Sequence, residues 1–283
     1  MIKTDKLKFS YDGTKMVLNL IDLDLEGGKI YGLLGQNGSG KTSLMHLLMG
    51  YNFPTSGKIE ILGYEPKERH PHFLSKIMIA DMIFPQNLNC LQLAKRYGCY
   101  YPNFSEEDLL RNLNEFQIES KSKLQSLSLG DKKKALFSLC FALNTCILLL
   151  DEPSDGLDIP SKSIFRKMLT RWVNEDRICI IATHQIRELE VTLDHILFLH
   201  EKRIMVSTDV IQLTEKLNFR VAPQVDEDDS QVIYKSRSPY GYKIIQKANQ
   251  EYESLEPDIE LLYNAFLTNP SYFEVLFSHK VLA

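Results

Sequence analysis

The stretch GQNGSGKT, residues 35–42, decides the fold. It fits GxxxxGK[ST] and stands between KIYGLLG (residues 29–35), which reads as a buried strand, and KTSLMHLLMG (residues 41–50), which has helical periodicity. That strand-to-helix setting is what the pattern requires. Its glycines let consecutive backbone N–H groups close around phosphate oxygens, and the helix N-terminus adds a positive dipole. Lys41 then reaches the β and γ phosphates, and the Thr42 hydroxyl ligates Mg2+.

Further along, CILLLDEP (residues 146–153) supplies a buried strand that ends in two carboxylates. Asp151 is placed to hold a metal or its water, and Glu152 to orient or deprotonate an attacking water. ICIIATH (residues 178–184) ends another buried strand in His184, a third polar group suited to a γ-phosphate. Taken alone, a lone strand-end histidine or an Asp-Glu pair is ordinary; the phosphate loop gives them a shared purpose.

Around these motifs, strand and helix patterns alternate. The chain opens with strand patterns KLKFSY and MVLNLIDLDL, with turns at Asp12-Gly13 and Gly27-Gly28, and SGKIEILG follows the first helix, which Gly50 can cap. Residues 84–130 turn helical, with LNCLQLAKRYGCYY and SEEDLLRNLNEFQI, the latter started by Ser105 and Asp108 in a capping-box-like arrangement. Helices are also expected over KKALFSLCFALN, SKSIFRKMLTRWVNED and QIRELEVTL, and a strand over HILFLHEKRI. This order predicts an α/β fold with a mainly parallel sheet, helices on its faces, and ligands at the carboxyl ends of the strands. From about residue 206 the periodicity weakens: DEDD (residues 226–229) reads as a loop, QVIYKSRSPYGYKII as a hairpin turning near Pro239, and DIELLYNAFLTNP as a closing helix.

Composition narrows the function classes. With 283 residues, one main core plus a subdomain or appendage is expected. A net charge of −4 and the absence of a dominant basic block give no electrostatic hold on nucleic acid. The run Lys132, Lys133, Lys134 reads as a solvated helix face. Five cysteines form no CxxC, and they read as small buried hydrophobes in a reducing compartment. The charged amino terminus lacks the apolar stretch of a secretory signal. LFSLCFALNTCILLL, the most apolar region, is too short and interrupted to span a bilayer, so a membrane role needs another chain to supply the span.

Five ordered motifs between about residues 7 and 203 together resemble the nucleotide-binding subunit of ABC transporters. The resemblance implies a P-loop NTPase core, an N-terminal antiparallel β region, a helical subdomain at about residues 84–130 and a small α+β extension. The ATPase domain would occupy residues 1–205 and the extension 206–283. By that resemblance Gly35, Gln36, Asn37, Gly38, Ser39, Gly40, Lys41, Thr42 and Ser43 form the Walker A site for ATP, Glu152 is the catalytic carboxylate, and His184 is the switch histidine. SDGLD (residues 154–158) is the D-loop, with Asp158 at the nucleotide, and Tyr11 stacks on adenine.

Two motifs depart from the family. LSLGD (residues 127–131) stands where the family carries LSGGQ, which closes over ATP held by the opposite subunit. Ser128 and Gly130 keep the hydroxyl and backbone N–H, while Leu129 replaces a glycine and Asp131 places a negative charge near a triphosphate. In KIMIADMIFPQ, Asp81 falls nearest the position of the family's metal-touching glutamine, and Gln86 lies deeper in the loop. The expected metal set is therefore Thr42, Asp151 and Asp81 for Mg2+.

The resulting expectation is an ATPase at the cytoplasmic face of the membrane that dimerises, as a homodimer, around ATP. It would drive a separate transmembrane permease, with the tail resembling ATPases of ABC-2-type exporters, and would bind no nucleic acid. The alternatives are a soluble ABC protein acting on nucleic acid or ribosomes, and a P-loop kinase for a small molecule. The single cassette, the missing heptads and the net negative charge argue against the first, and the signature against the second.

Overall fold

The structure is a computed structural model and describes residues 1–68, 76–79, 87–188, 192–225, 231–248 and 255–277. Strands β1 (Ile2–Ser10), β2 (Met16–Leu25), β3 (Lys29–Leu34), β4 (Ser56–Ile61), β5 (Lys76–Ile79) and β6 (Ile147–Asp151) are followed by β7 (Ile178–Thr183), β8 (His195–His200) and β9 (Arg203–Asp209). The last three strands are β10 (Leu217–Ala222), β11 (Val232–Ser238) and β12 (Gly241–Lys247). Helices α1 (Lys41–Met49), α2 (Cys90–Gly98), α3 (Glu106–Glu115) and α4 (Leu129–Ala142) precede α5 (Ile159–Trp172), α6 (Val210–Lys216), α7 (Ile259–Thr268) and α8 (Pro270–Phe277).

The central sheet runs β5-β6-β7-β3-β8-β9. Its first five strands are parallel, and β9 returns antiparallel to β8. Both faces are covered, which is why β3, β6 and β7 are nearly continuous apolar runs rather than alternating ones. Period-2 geometry sends alternate residues to different cores. Leu148, Leu150, Cys179, Ile181, Ile196 and Phe198 face the helical side. Leu149, Ile180, Leu197 and Leu199 face α1 and the antiparallel sheet β2-β1-β4. All five thiols are free, but the expected burial holds for Cys90, Cys140 and Cys179 only: Cys146 is half-buried and Cys99 is exposed.

The helical subdomain leans on the same core. Ser105 caps α3 by accepting from the Asp108 N–H (3.1 Å), whereas the reciprocal capping box sits at the start of α2, between Asn89 and Gln92. Phe165 on α5 packs against Phe137 on α4 at 4.7 Å between ring centroids, tying this subdomain to the sheet.

Three expectations change. The helix read over QIRELEVTL is a single 3-10 turn at Ile186–Glu188 in its described part. The Gln185 N–H goes to Thr183 Oγ1 (2.9 Å), a local bond that competes with a helical start. The closing helix ends at Thr268, and Pro270 opens a further helix where its missing N–H is no loss. The main sheet continues past residue 205, because β9 runs to Asp209. Beyond it, the expected hairpin of β11 and β12 gains β10 as a third strand, in the order β10-β12-β11. The DEDD segment lies outside the described residues.

Candidate functional site

The phosphate loop links the end of β3 to α1. Gly35 is required by space: a Cβ there would lie 2.6 Å from Ser39 Oγ and 2.7 Å from the Leu199 carbonyl. Gly40 is required by conformation, since it caps α1 at φ 111°, a region L side chains rarely adopt. Gln36, Asn37 and Gly38 form the turn between them, closed by the Ser39 N–H donating to the Gln36 carbonyl (3.1 Å). Ser39 Oγ is buried and has no hydrogen-bond partner among the described residues.

Lys41 lies folded onto this loop, its ammonium donating to the carbonyls of Gly35 (2.7 Å) and Gln36 (3.3 Å). It is buried, and desolvation lowers its pKa against the pull of Glu152 and Asp151. Thr42 Oγ1 donates to Asp151 Oδ2 at 2.6 Å, so the two strand-end and helix-start groups read from the sequence do meet. Tyr11 is mostly exposed, and its hydroxyl is 3.0 Å from Ser43 Oγ at the start of α1.

Glu152 follows directly. Its carboxylate accepts from Thr183 Oγ1 (2.9 Å) and from the His184 N–H (3.2 and 3.3 Å), and lies 2.7 Å from His184 Nδ1. Parallel pairing of β6 with β7 sets this up, because it brings residue 151 beside Ala182. Thr183 joins the site without a motif of its own; its signal in the sequence is a hydroxyl residue preceding the strand-end histidine.

A second cluster gathers at the start of α4. Ser128 caps the helix by accepting from the Asp131 N–H (3.1 Å), and its hydroxyl donates to Asp131 Oδ2 (2.7 Å). Hydrogen bonds from Ser128 and then Lys134 hold the Asp131 carboxyl below the usual range. Gly130 lies against the Gly156 carbonyl of the following loop. Asp158 caps α5 through the Ser161 N–H (2.8 Å) and lies 3.6 Å from Lys134 Nζ, so it sits with this cluster. Leu129 points outward, 85% exposed.

The lysine run is not the solvated face expected from its charge. Lys133 Nζ donates to the carbonyls of Glu152 (3.0 Å) and Asp155 (2.7 Å), and Lys134 pairs with Asp131 (3.1 Å). Spacing alone hides this, because a lysine stem reaches across to a neighbouring loop that sequence does not place. Lys133 joins the two clusters. Asp81 and Gln86 lie outside the described residues.

Tested against a magnesium nucleotide, the donor set fits. The loop offers backbone N–H groups and a buried ammonium to phosphate, and Thr42 with Asp151 offers hard oxygen ligands. Among the described residues no three His, Cys, Asp or Glu side chains cluster as a metal cage. Mg2+ takes one or two protein oxygens and completes its shell with phosphate and water, so Thr42 and Asp151 suit it. No helix among the described residues is long and apolar enough to cross a membrane.

Comparison with known proteins agrees with this geometry. The family described as "ABC transporter" matches residues 18–155. The chain is 29% identical over 270 residues to the ABC transporter ATP-binding protein YtrB of Bacillus subtilis, covering 94% of this chain and 90% of that one. It is 31% identical over 235 residues to the bacitracin transport ATP-binding protein BcrA of Bacillus licheniformis, covering 79% and 76%. Its fold is similar to that of a bacterial ABC transporter cassette solved as a dimer, with a TM-score of 0.64 and 20% identity over 74% of this chain and 98% of that one. The chain belongs to the ABC transporter family, as an ATP-binding subunit that hydrolyses ATP for transport.

Proposed function

We infer that two copies of this subunit close around MgATP, hydrolyse it, and drive a separate transmembrane permease that works as an exporter. The observation that carries this reading is the meeting of Thr42 with Asp151 (2.6 Å) and of Glu152 with His184 (2.7 Å) at adjacent strand ends beside Lys41. The similarity to a bacitracin transport ATP-binding protein supports the transport role.

In this reading residues 35–43 cradle the phosphates, and Tyr11 stacks on adenine. Glu152 accepts a proton as a water oxygen bonds to the γ-phosphorus and the bond to the β-phosphate oxygen breaks, with ADP leaving. Thr183 and the His184 backbone hold that carboxylate in place, and His184 contacts the γ-phosphate. Thr42 and Asp151, with Asp81, would hold Mg2+, which when bound neutralises charge on the phosphates. Ser128 and Gly130 of one copy, with Asp158 nearby, face the nucleotide of the other. Because ATP lies between copies, dimer stability follows its occupancy. The ATPase domain expected over residues 1–205 extends in this reading to the end of β9 at Asp209, with the segment 84–130 receiving the permease at the cytoplasmic face of the membrane, and the extension follows it to residue 283.

The test is co-purification of tagged Glu152→Gln protein from detergent-solubilised membranes of its own cell. A polytopic membrane protein at a one-to-one ratio is expected. Recovery free of membrane protein but carrying RNA or ribosomal proteins would overturn the reading.

A further inference from the structure

The Glu152 carboxylate sits in a ring of hydrogen bonds that closes through Gln185, a residue outside the sequence motifs. Thr183 Oγ1 donates to Glu152 Oε2 (2.9 Å) and accepts the Gln185 N–H (2.9 Å). Gln185 Nε2 donates to Asp155 Oδ1 (2.8 Å), and the Asp155 N–H returns to the Glu152 carbonyl (3.4 Å). A carboxylate only accepts, so the side-chain amide of Gln185 must present its nitrogen to Asp155. The ring joins two segments of chain, the loop after β6 and the turn after β7, that backbone pairing brings together only as far as Asp151 and Ala182.

The return bond at 3.4 Å is long, so the loop's own backbone holds Asp155 only weakly against Glu152. Two side chains make up the difference from opposite directions. Lys133 of α4 reaches the Glu152 and Asp155 carbonyls, and Gln185 reaches the Asp155 carboxylate. Gln185 suits this task because its backbone is already fixed: its N–H is bound to Thr183, which is fully buried, and the next residue, Ile186, lies in the core on the helical side of the sheet. Only its side-chain torsions remain to be ordered. The loop it holds continues to Gly156, whose carbonyl lies against Gly130 at the start of α4, and to Asp158 at the start of α5.

We propose that Gln185 is a positioning residue for hydrolysis: through Asp155 it straps the loop after Glu152 to the turn after His184, so that the carboxylate and the loop keep one relative placement. The inference rests on the reading of Glu152 as the group that takes the proton from water. In the proposed dimer the same loop faces the other copy. The strap is then the path by which closure of the two copies bears on the aim of Glu152, while the nucleotide itself is held elsewhere, by residues 35–43. Its loss therefore acts on turnover and not on binding.

The discriminating variant is Gln185→Ala in the full chain, which removes the amide; Gln185 is half-buried and Asp155 exposed, so no core packing is lost. Steady-state kinetics should show kcat lowered about threefold to fivefold, the size of one hydrogen bond, with KM for MgATP near its wild-type value. Asp155→Ala should lose the same amount, and the double variant no more than either alone. Asp155→Asn keeps an oxygen for the amide to reach and should recover most of what Asp155→Ala loses. Unchanged kcat in Gln185→Ala would overturn the proposal. So would losses that multiply in the double variant, or a raised KM at unchanged kcat. Glu152→Gln run in parallel separates the two readings. If it hydrolyses ATP at the wild-type rate, the reading of Glu152 has failed and this inference falls with it; if it is inactive while Gln185→Ala keeps full kcat, this inference alone has failed.

Discussion

Glu152 Oε1 lies 2.7 Å from His184 Nδ1, across the join between two parallel strands. Glu152 occupies a left-handed backbone conformation, φ 46°, which costs an L residue about 1 kcal/mol or more. Its N–H donates to the Ala182 carbonyl (2.9 Å), and its carbonyl accepts from Lys133 (3.0 Å). A strained backbone held from both sides aims the carboxylate at one place, which is what a group that must meet a single water requires.

On the role proposed for Glu152, the contact between Lys133 and its carbonyl makes α4 part of the catalytic support. Lys133→Met keeps the aliphatic stem and removes the ammonium. It should lower kcat by roughly tenfold, equivalent to ~1.4 kcal/mol of lost positioning, while KM for MgATP stays near its wild-type value. Steady-state ATPase kinetics check this; a rise in KM at unchanged kcat would show that Lys133 serves nucleotide binding instead.

The altered signature has a structural consequence that the sequence only suggested. Asp131 is held charged, and it takes the Ser128 hydroxyl for itself. The double substitution Leu129→Gly with Asp131→Gln frees that hydroxyl and removes a charge that, in the proposed dimer, faces triphosphate. Leu129 is exposed, so no core packing is lost. With Lys134 already offsetting part of the repulsion, the ATP-bound dimer should tighten by about fivefold, or ~1 kcal/mol. Sedimentation equilibrium in MgATP measures it, and an unchanged dimer constant would count against an inhibitory role for Asp131.

Asp209 predicts a pH dependence. Burial works against its charge, but hydrogen bonds from His195 (2.8 Å) and Lys29 (2.9 Å) outweigh it and leave its pKa lowered. A folded pKa below the unfolded value of about 3.9 gives stability that is present above that pH and lost as pH falls through the folded value. Asp209→Asn should therefore cost ~1 kcal/mol at pH 7, with the Tm gap to the wild type closing as pH falls below the unfolded carboxylate value of about 3.9. A gap that persists undiminished into that range would show packing, and not charge, as the cause.

The candidate site was legible in the sequence because each of its parts is local. GQNGSGKT, ILLLD and ICIIATH carry their own strand or helix context, so strand ends place Lys41, Asp151, Glu152 and His184 without knowledge of the tertiary fold. Lys133 was not legible. It acts on a loop 19 residues away in sequence. Nothing in a lysine run encodes such a target. The turn after His184 was misread for a related reason: a Thr183 side-chain bond overrides the apolar spacing of QIRELEVTL.

The central claim is that ATP joins two copies of this chain at the Glu152 site. The most direct measurement is sedimentation velocity of purified Glu152→Gln protein with and without MgATP. The account predicts a monomer without nucleotide, a stable dimer holding two ATP with it, and turnover reduced at least a hundredfold. A Glu152→Gln protein that stays monomeric in saturating MgATP, or that hydrolyses ATP at the wild-type rate, would contradict it.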